Sequence, residues 1–240
     1  MCIIKAKHPH FVKRVVKVRK IRKAIGRMAR GAWRRLGKLM YRVRARYEDW
    51  RLGRISLEGI KPSKYTEKGA KATESTNYEW LDQMFKAFPY PQKTAFVDVG
   101  CGEGRVLTYL YLRGCKVPMI GIELDPENAR IAKERTKTCP NIRIECKNIL
   151  DCGEIIKDAG EFYLFNPFTE DVMARFIEMI EENCNHPVVV FYCNDIYRNL
   201  LDKRQNWTII WRNMLKSRNG LSRSGTIYGY MPDAKEEKSV

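Results

Sequence analysis

Residues 96–105 read FVDVGCGEGR, and no other stretch restricts the possible folds as much. An apolar run ends in Asp98, glycines follow at 100, 102 and 104, and a helical pattern opens at Arg105. Glycine suits a backbone that turns sharply and must come into contact with a ligand. The first turn of the helix behind it offers free N–H groups to an anion. A strand running straight into such a turn and helix implies a crossover unit and a parallel sheet. A second apolar run, Met119–Leu124, carries Glu123 19 residues beyond Gly104, where a carboxylate can accept both hydroxyls of a ribose.

The pattern around this turn alternates. Further strands are expected at Ala95–Val99, Ile142–Cys146, Phe162–Phe165 and Val188–Tyr192. Helices are expected at Arg105–Leu112, Pro126–Lys137, Glu154–Lys157, Glu170–Asn183 and Asp195–Lys203. Trp207–Leu215 and Thr226–Met231 flank a Gly/Ser/Asn-rich turn and read as a closing hairpin. The expected fold is α/β, a doubly wound, mostly parallel seven-stranded sheet with helices on both faces. Residues 94–232 form its domain and 233–240 a polar tail. Residues 55–93 connect it to what precedes; 55–75 read as a loop, and Asn77–Phe88 as a short amphipathic helix.

Charge separates the first 54 residues from the rest. Of 45 Lys and Arg in 240 residues, 19 lie in residues 1–54 against only Glu48 and Asp49, so the whole net charge of +17 resides there. Phe11, Val15, Val18, Ile25, Ala29, Ala32, Leu36, Leu39, Val43 and Trp50 recur at helical spacing among these cations. Residues 1–54 are therefore a basic amphipathic helical arm, expected to bend or break at Gly26, Gly31 and Gly37. Such an arm suits an anionic membrane surface, nucleic-acid phosphates, or packing on the body with its charges outward. The arm contains no Ser or Thr, unlike an organellar transit peptide, and the chain shows no secretory or membrane-spanning run. The eight cysteines form no Cys-x-x-Cys pair and the three histidines no ligand spacing. Reduced, mostly buried thiols, no metal, and a cytoplasmic location, peripheral at the inner membrane surface if the arm binds lipid, are expected.

The turn also discriminates among nucleosides. A dinucleotide fold places its third glycine at the position of Arg105, whereas here it stands at 104. Asp-x-Gly-x-Gly-x-Gly with Glu123 on the next strand resembles motif I of the Rossmann-like, class I S-adenosyl-L-methionine (SAM) methyltransferases. The resemblance implies that Asp98, Gly100, Gly102, Gly104 and Glu123 hold SAM. It also puts Asn148 near the adenine amine, in place of the family's usual Asp, with Ile149 beside it. Asn166-Pro167-Phe168 resembles the Asn/Asp-Pro-Pro-aromatic motif of amine-methylating enzymes without its second proline. It implies catalytic roles for Asn166, which would hold the acceptor amine, and Phe168, which would pack on the target. Residues 48–194 together resemble a group of small bacterial methyltransferases with an Asn-Pro-Phe loop, distantly like the non-SET histone lysine methyltransferases. By that resemblance Glu74-Ser75-Thr76-Asn77-Tyr78 closes over SAM, with Thr76 and Tyr78 as contacts.

The activity implied is methyl transfer from SAM to an unidentified acceptor, an amine nitrogen of a small molecule or protein. Two alternatives stand beside it: an RNA or DNA methyltransferase whose arm binds substrate, and a non-catalytic adaptor that holds anionic surfaces. Arg105 reads as a solvated helix-start charge and Cys101 as a small filler.

Overall fold

The computed structural model describes residues 9–53, 57, 59–89 and 94–233. The tail beyond residue 233 and the side chains of Phe11, Val15, Val18 and Ile25 lie outside the described parts. In chain order the elements are α1 (Pro9–Arg51), β1 (Ile60–Lys61), β2 (Thr73–Glu74), α2 (Tyr78–Ala87), β3 (Ala95–Val99), α3 (Arg105–Leu112), β4 (Met119–Glu123) and α4 (Pro126–Thr136). They continue with β5 (Ile142–Cys146), α5 (Gly153–Asp158), β6 (Ala159–Phe165), α6 (Glu170–Asn183), β7 (Val188–Cys193), α7 (Asn199–Asp202), β8 (Trp207–Lys216) and β9 (Ser222–Tyr230).

Seven strands form one sheet in the order β5-β4-β3-β6-β7-β9-β8. The first five are mutually parallel, and β9 is antiparallel to both β7 and β8. The chain leaves β3 towards β4 and β5, then crosses back to lay β6 on the other side of β3. That reversal opens a crevice at the carboxyl ends of β3 and β6, where ligands bind in open α/β sheets.

Alternation along the strands divides the core between the two faces. Phe96, Tyr163 and Phe191 join one cluster with Trp80, Leu81, Met84 and Phe85 of α2. Val97, Phe162 and Tyr192 join the other with Phe176, Ile177 and Ile180 of α6. Burying each large apolar side chain of α2 stabilises the fold by roughly 1.5–3 kcal/mol, so this ten-residue helix is held by packing more than by its own propensity.

Three features depart from expectation. The arm is one unbroken 43-residue helix, roughly 65 Å long. Strong helix formers surround its glycines, and a glycine costs only about 1 kcal/mol relative to alanine. Gly37 serves packing: a Cβ there would stand 2.8 Å from the backbone oxygen of Arg218 in the β8–β9 turn. In the segment expected to be only a loop, Ile60 and Lys61 pair with Glu74 and Thr73. The helix expected over 195–203 shrinks to four residues, because Asn194 takes φ +55 and the chain turns before it coils.

Of the three readings of the arm, packing of its apolar stripe on the body is the one that the described side chains do not follow. Among the described side chains of α1 the buried ones are Tyr41, Ala45 and Asp49, one every four residues. The apolar stripe itself points to solvent: Trp33 is 72% exposed, Leu39 58%, Val43 61% and Trp50 58%. Among the described residues no helix is long and apolar enough to cross a membrane.

Candidate functional site

A cavity of about 860 Å³, counting its open mouth, lies at the carboxyl ends of β3, β4 and β6. That is within the range of small-molecule sites. Asp98, Gly100, Gly102, Glu123, Asn148, Ile149, Pro167 and Phe168 line it, together with residues 70–76. Side chains far apart in sequence meet here because β3 is flanked by both β4 and β6.

The turn after β3 is shaped by its glycines. Gly100, Gly102 and Gly104 all take positive φ, at +70°, +52° and +81°. At Gly100 a Cβ would come within 2.7 Å of Pro167 Cβ, so the glycine turn and the Asn-Pro-Phe loop can touch only without a side chain there. Gly104 does not line the cavity; it caps α3, close to Ala132 of α4. Cys101 fills space, its buried Sγ wedged near Gly121, and burial pushes its thiol well up. No thiolate nucleophile is made there.

Two carboxyl groups stand at the floor. Glu123 accepts the Gly102 N–H at 2.7 Å and the Asp125 N–H at 2.8 Å, which fixes its orientation at the strand end. Asp98 is fully buried, and its Oδ2 has no hydrogen-bond partner. Burial first, and the charge of Glu123 second, hold the Asp98 carboxyl well above its ordinary value. Burial likewise raises that of Glu123, against the two backbone donors. An unpaired carboxylate beside a cavity is costly unless a ligand's donors complete it.

Thr76 is buried on the wall and accepts a hydrogen bond from Tyr163 at 3.1 Å. Asn148 accepts the Leu150 N–H at 3.1 Å, which spends part of its acceptor capacity on the local turn. Tyr78 stands apart from the cavity lining, and its hydroxyl donates to Asp49 of α1 at 2.6 Å. Arg105 corrects its reading as a solvated charge. It is 4% exposed and pairs with Asp49 through Nε at 3.1 Å and Nη2 at 2.7 Å. Its Nη1 also donates to the carbonyls of Ser75 and Thr76, so it braces the cavity wall.

Asn166 takes φ +42, a left-handed conformation that Asn tolerates better than most residues. Its own side chain is not part of the cavity lining, but its Oδ1 accepts a hydrogen bond at 3.1 Å from the Nζ of Lys71, a residue that lines the cavity. Phe168 lines the cavity while its ring packs on Phe176, centroids 6.0 Å apart. Sequence reasoning passed over Lys71, Lys147, Tyr163 and Tyr197. Lys71 lies in a segment without periodicity, and only the folded chain brings it to residue 166.

Residues 97–159 match a family model described as a methyltransferase domain. The architecture is the Rossmann-like methyltransferase fold. TrmN from Thermus thermophilus superposes with TM-score 0.51 at 10% identity, over 62% of this chain and 48% of that one. A Pyrococcus horikoshii protein proposed to be an RNA methyltransferase gives 0.53 at 13% identity, over 75% of this chain and 93% of that one. Phosphoethanolamine N-methyltransferase 1 of Haemonchus contortus, in complex with phosphoethanolamine and S-adenosylhomocysteine, gives 0.55 at 11%, over 68% of this chain and 44% of that one. The chain thus spans about half the length of the first and third of these proteins. Identities this low speak for the fold alone. No curated protein matches the sequence. The cofactor of this methyltransferase fold is SAM, and the cavity fits it: Asp98 has an unpaired oxygen for a donor, and the turn at Gly100 and Gly102 lines the cavity.

Proposed function

We propose that this chain moves a methyl group from SAM to an amine nitrogen. When bound, the cofactor supplies an electrophilic methyl on a sulfonium. Asp98 and Glu123 would hold its donors, the turn at Gly100 and Gly102 would give it backbone contact while Gly104 shapes the helix start behind it, and Thr76, Asn148 and Ile149 would flank it. Tyr78 would act through Asp49 and Arg105, as a support of the wall. An acceptor amine must present its lone pair in line with the methyl, and orientation at contact distance can lower such a barrier by several kcal/mol.

The observation that carries the amine reading is the contact at Asn166. Its Oδ1 already accepts a hydrogen bond from an amine, Lys71 Nζ at 3.1 Å, on a residue that lines the cavity. A carbonyl oxygen in that place accepts an N–H and leaves the nitrogen lone pair free to point elsewhere. The test is release of S-adenosylhomocysteine over a panel of primary amines, hydroxyl compounds and carboxylates. Turnover confined to amines, lost about 100-fold in Asn166→Ala while cofactor binding persists, supports the reading. Turnover on hydroxyl acceptors that ignores Asn166 would overturn it.

For the arm, the outward face of Trp33, Leu39, Val43 and Trp50 among arginines favours an anionic lipid surface over bare phosphate binding. Sedimentation with vesicles of anionic against zwitterionic lipid tests this. Binding to RNA with steep salt dependence, and none to vesicles, would favour the nucleic-acid alternative.

A further inference from the structure

Lys71 occupies a place that the proposed reaction reserves for its acceptor. Its backbone is pinned across the Asn-Pro-Phe loop: Lys71 N donates to Pro167 O at 3.0 Å, Ala70 bridges Phe168, and Thr169 N donates to Gly69 O at 2.9 Å. This short antiparallel pairing aims the side chain over residue 166. There Nζ donates to Asn166 Oδ1 at 3.1 Å and to the Tyr197 hydroxyl at 3.0 Å, 4.4 Å from the centre of the Tyr197 ring. The side chain is half-buried and lines the same cavity as Asp98, Gly102 and Glu123. Lys68 and Lys147 also line that cavity, but the contacts to Asn166 and Tyr197 belong to Lys71. An amine held by two oxygens and an aromatic face, beside a methyl-donor pocket, has the surroundings of a substrate rather than of a surface lysine.

We infer that Lys71 is a methylation site of this chain, modified within its own molecule. The inference rests on the amine-transfer reading above and goes further by naming an acceptor. The step balances without another reagent. The Lys71 ammonium gives one proton to water at the cavity mouth, and its freed lone pair forms an N–C bond to the SAM methyl. The C–S bond breaks with its electrons going to sulfur, leaving S-adenosylhomocysteine and a methylammonium on Lys71. Repetition would add further methyl groups. Monomethyl-lysine keeps two N–H groups for Asn166 and Tyr197, dimethyl-lysine one and trimethyl-lysine none, so the second and third methylations would loosen these contacts.

The full chain, as purified and after incubation with SAM, is digested and its Lys71 peptide weighed. The expected result is added methyl mass at Lys71 at a rate independent of protein concentration, lost in Lys71→Arg and in Asn166→Ala, both still binding S-adenosylhomocysteine in a calorimeter. A second readout needs no turnover: an amine-acylating reagent should label Lys71 slowly in the free protein and faster in Asn166→Ala, because the hydrogen bond that shields the nitrogen is gone. Protein that binds S-adenosylhomocysteine and methylates an added amine, yet keeps Lys71 unmodified, overturns this inference and leaves the amine reading standing. A rate rising with protein concentration overturns the intramolecular route. Absence of cofactor binding removes both.

Discussion

Arg105, the first residue of the helix behind the glycine turn, is locked to Asp49 of the N-terminal helix by a two-point ion pair, and both side chains are buried. Asp49 is otherwise satisfied by the Tyr78 hydroxyl and the Leu57 N–H. The end of the arm is thereby built into the wall of the cofactor cavity. Removing one partner of a buried pair strands the other charge, at about 3–5 kcal/mol. Asp49→Ala should lower the unfolding free energy by that amount, seen in equilibrium unfolding as a lower denaturant midpoint with little change in slope. A midpoint within experimental error of the parent would contradict the role assigned to the pair.

It follows that the arm should be cut inside α1 and not at its end. Deleting residues 1–36 leaves Tyr41, Ala45 and Asp49 in place and removes Trp33 with much of the charge. The shortened protein should keep its stability within about 0.5 kcal/mol and its affinity for S-adenosylhomocysteine. It should lose binding to anionic vesicles, which sedimentation would report.

Asp98 trades stability for binding. A fully buried carboxyl with an unpartnered oxygen and a raised pKa favours its protonated form in the folded chain, so its relative contribution is present at low pH and lost as pH rises through the folded value. Asp98→Asn should therefore stabilise the ligand-free protein at neutral pH by about 1 kcal/mol and abolish cofactor binding. The difference in melting temperature between the two should narrow as pH falls.

Glu161 gives a second pH signal, away from the cavity. Burial raises its carboxyl from the ordinary 4.5 to about 7, and its Oε2 has no hydrogen-bond partner. The folded pKa lies above the unfolded one, so stability is lost between about pH 5 and 8 as the group ionises. Glu161→Gln should flatten that part of the stability curve, by on the order of 1–2 kcal/mol once solvent screening is allowed for. Melting temperatures of both proteins from pH 5 to 8 would show it.

How much of this was legible in the sequence depended on whether the cause was local. β3, α3, β5 and α6 lie where alternation and helical spacing put them, because each has one clear apolar face and an unambiguous terminus. Asp98, Gly100, Gly102 and Glu123 fall on the cavity because a strand end and its turn carry their geometry with them. The orientation of α1 did not follow from its pattern. The body selected a narrow face of Tyr41, Ala45 and Asp49, with Gly37 allowing close approach, and left the larger stripe outside. Arg105 and Lys71 could not be read either, since their partners stand 56 and 95 residues away.

Calorimetric titration of S-adenosylhomocysteine into the full chain, beside Glu123→Ala, tests most directly that the cavity is a SAM site. Micromolar binding by the parent, lost in a variant that still melts cooperatively, is the result predicted. A folded parent that takes up no ligand, or a variant that binds as well as the parent, would contradict it.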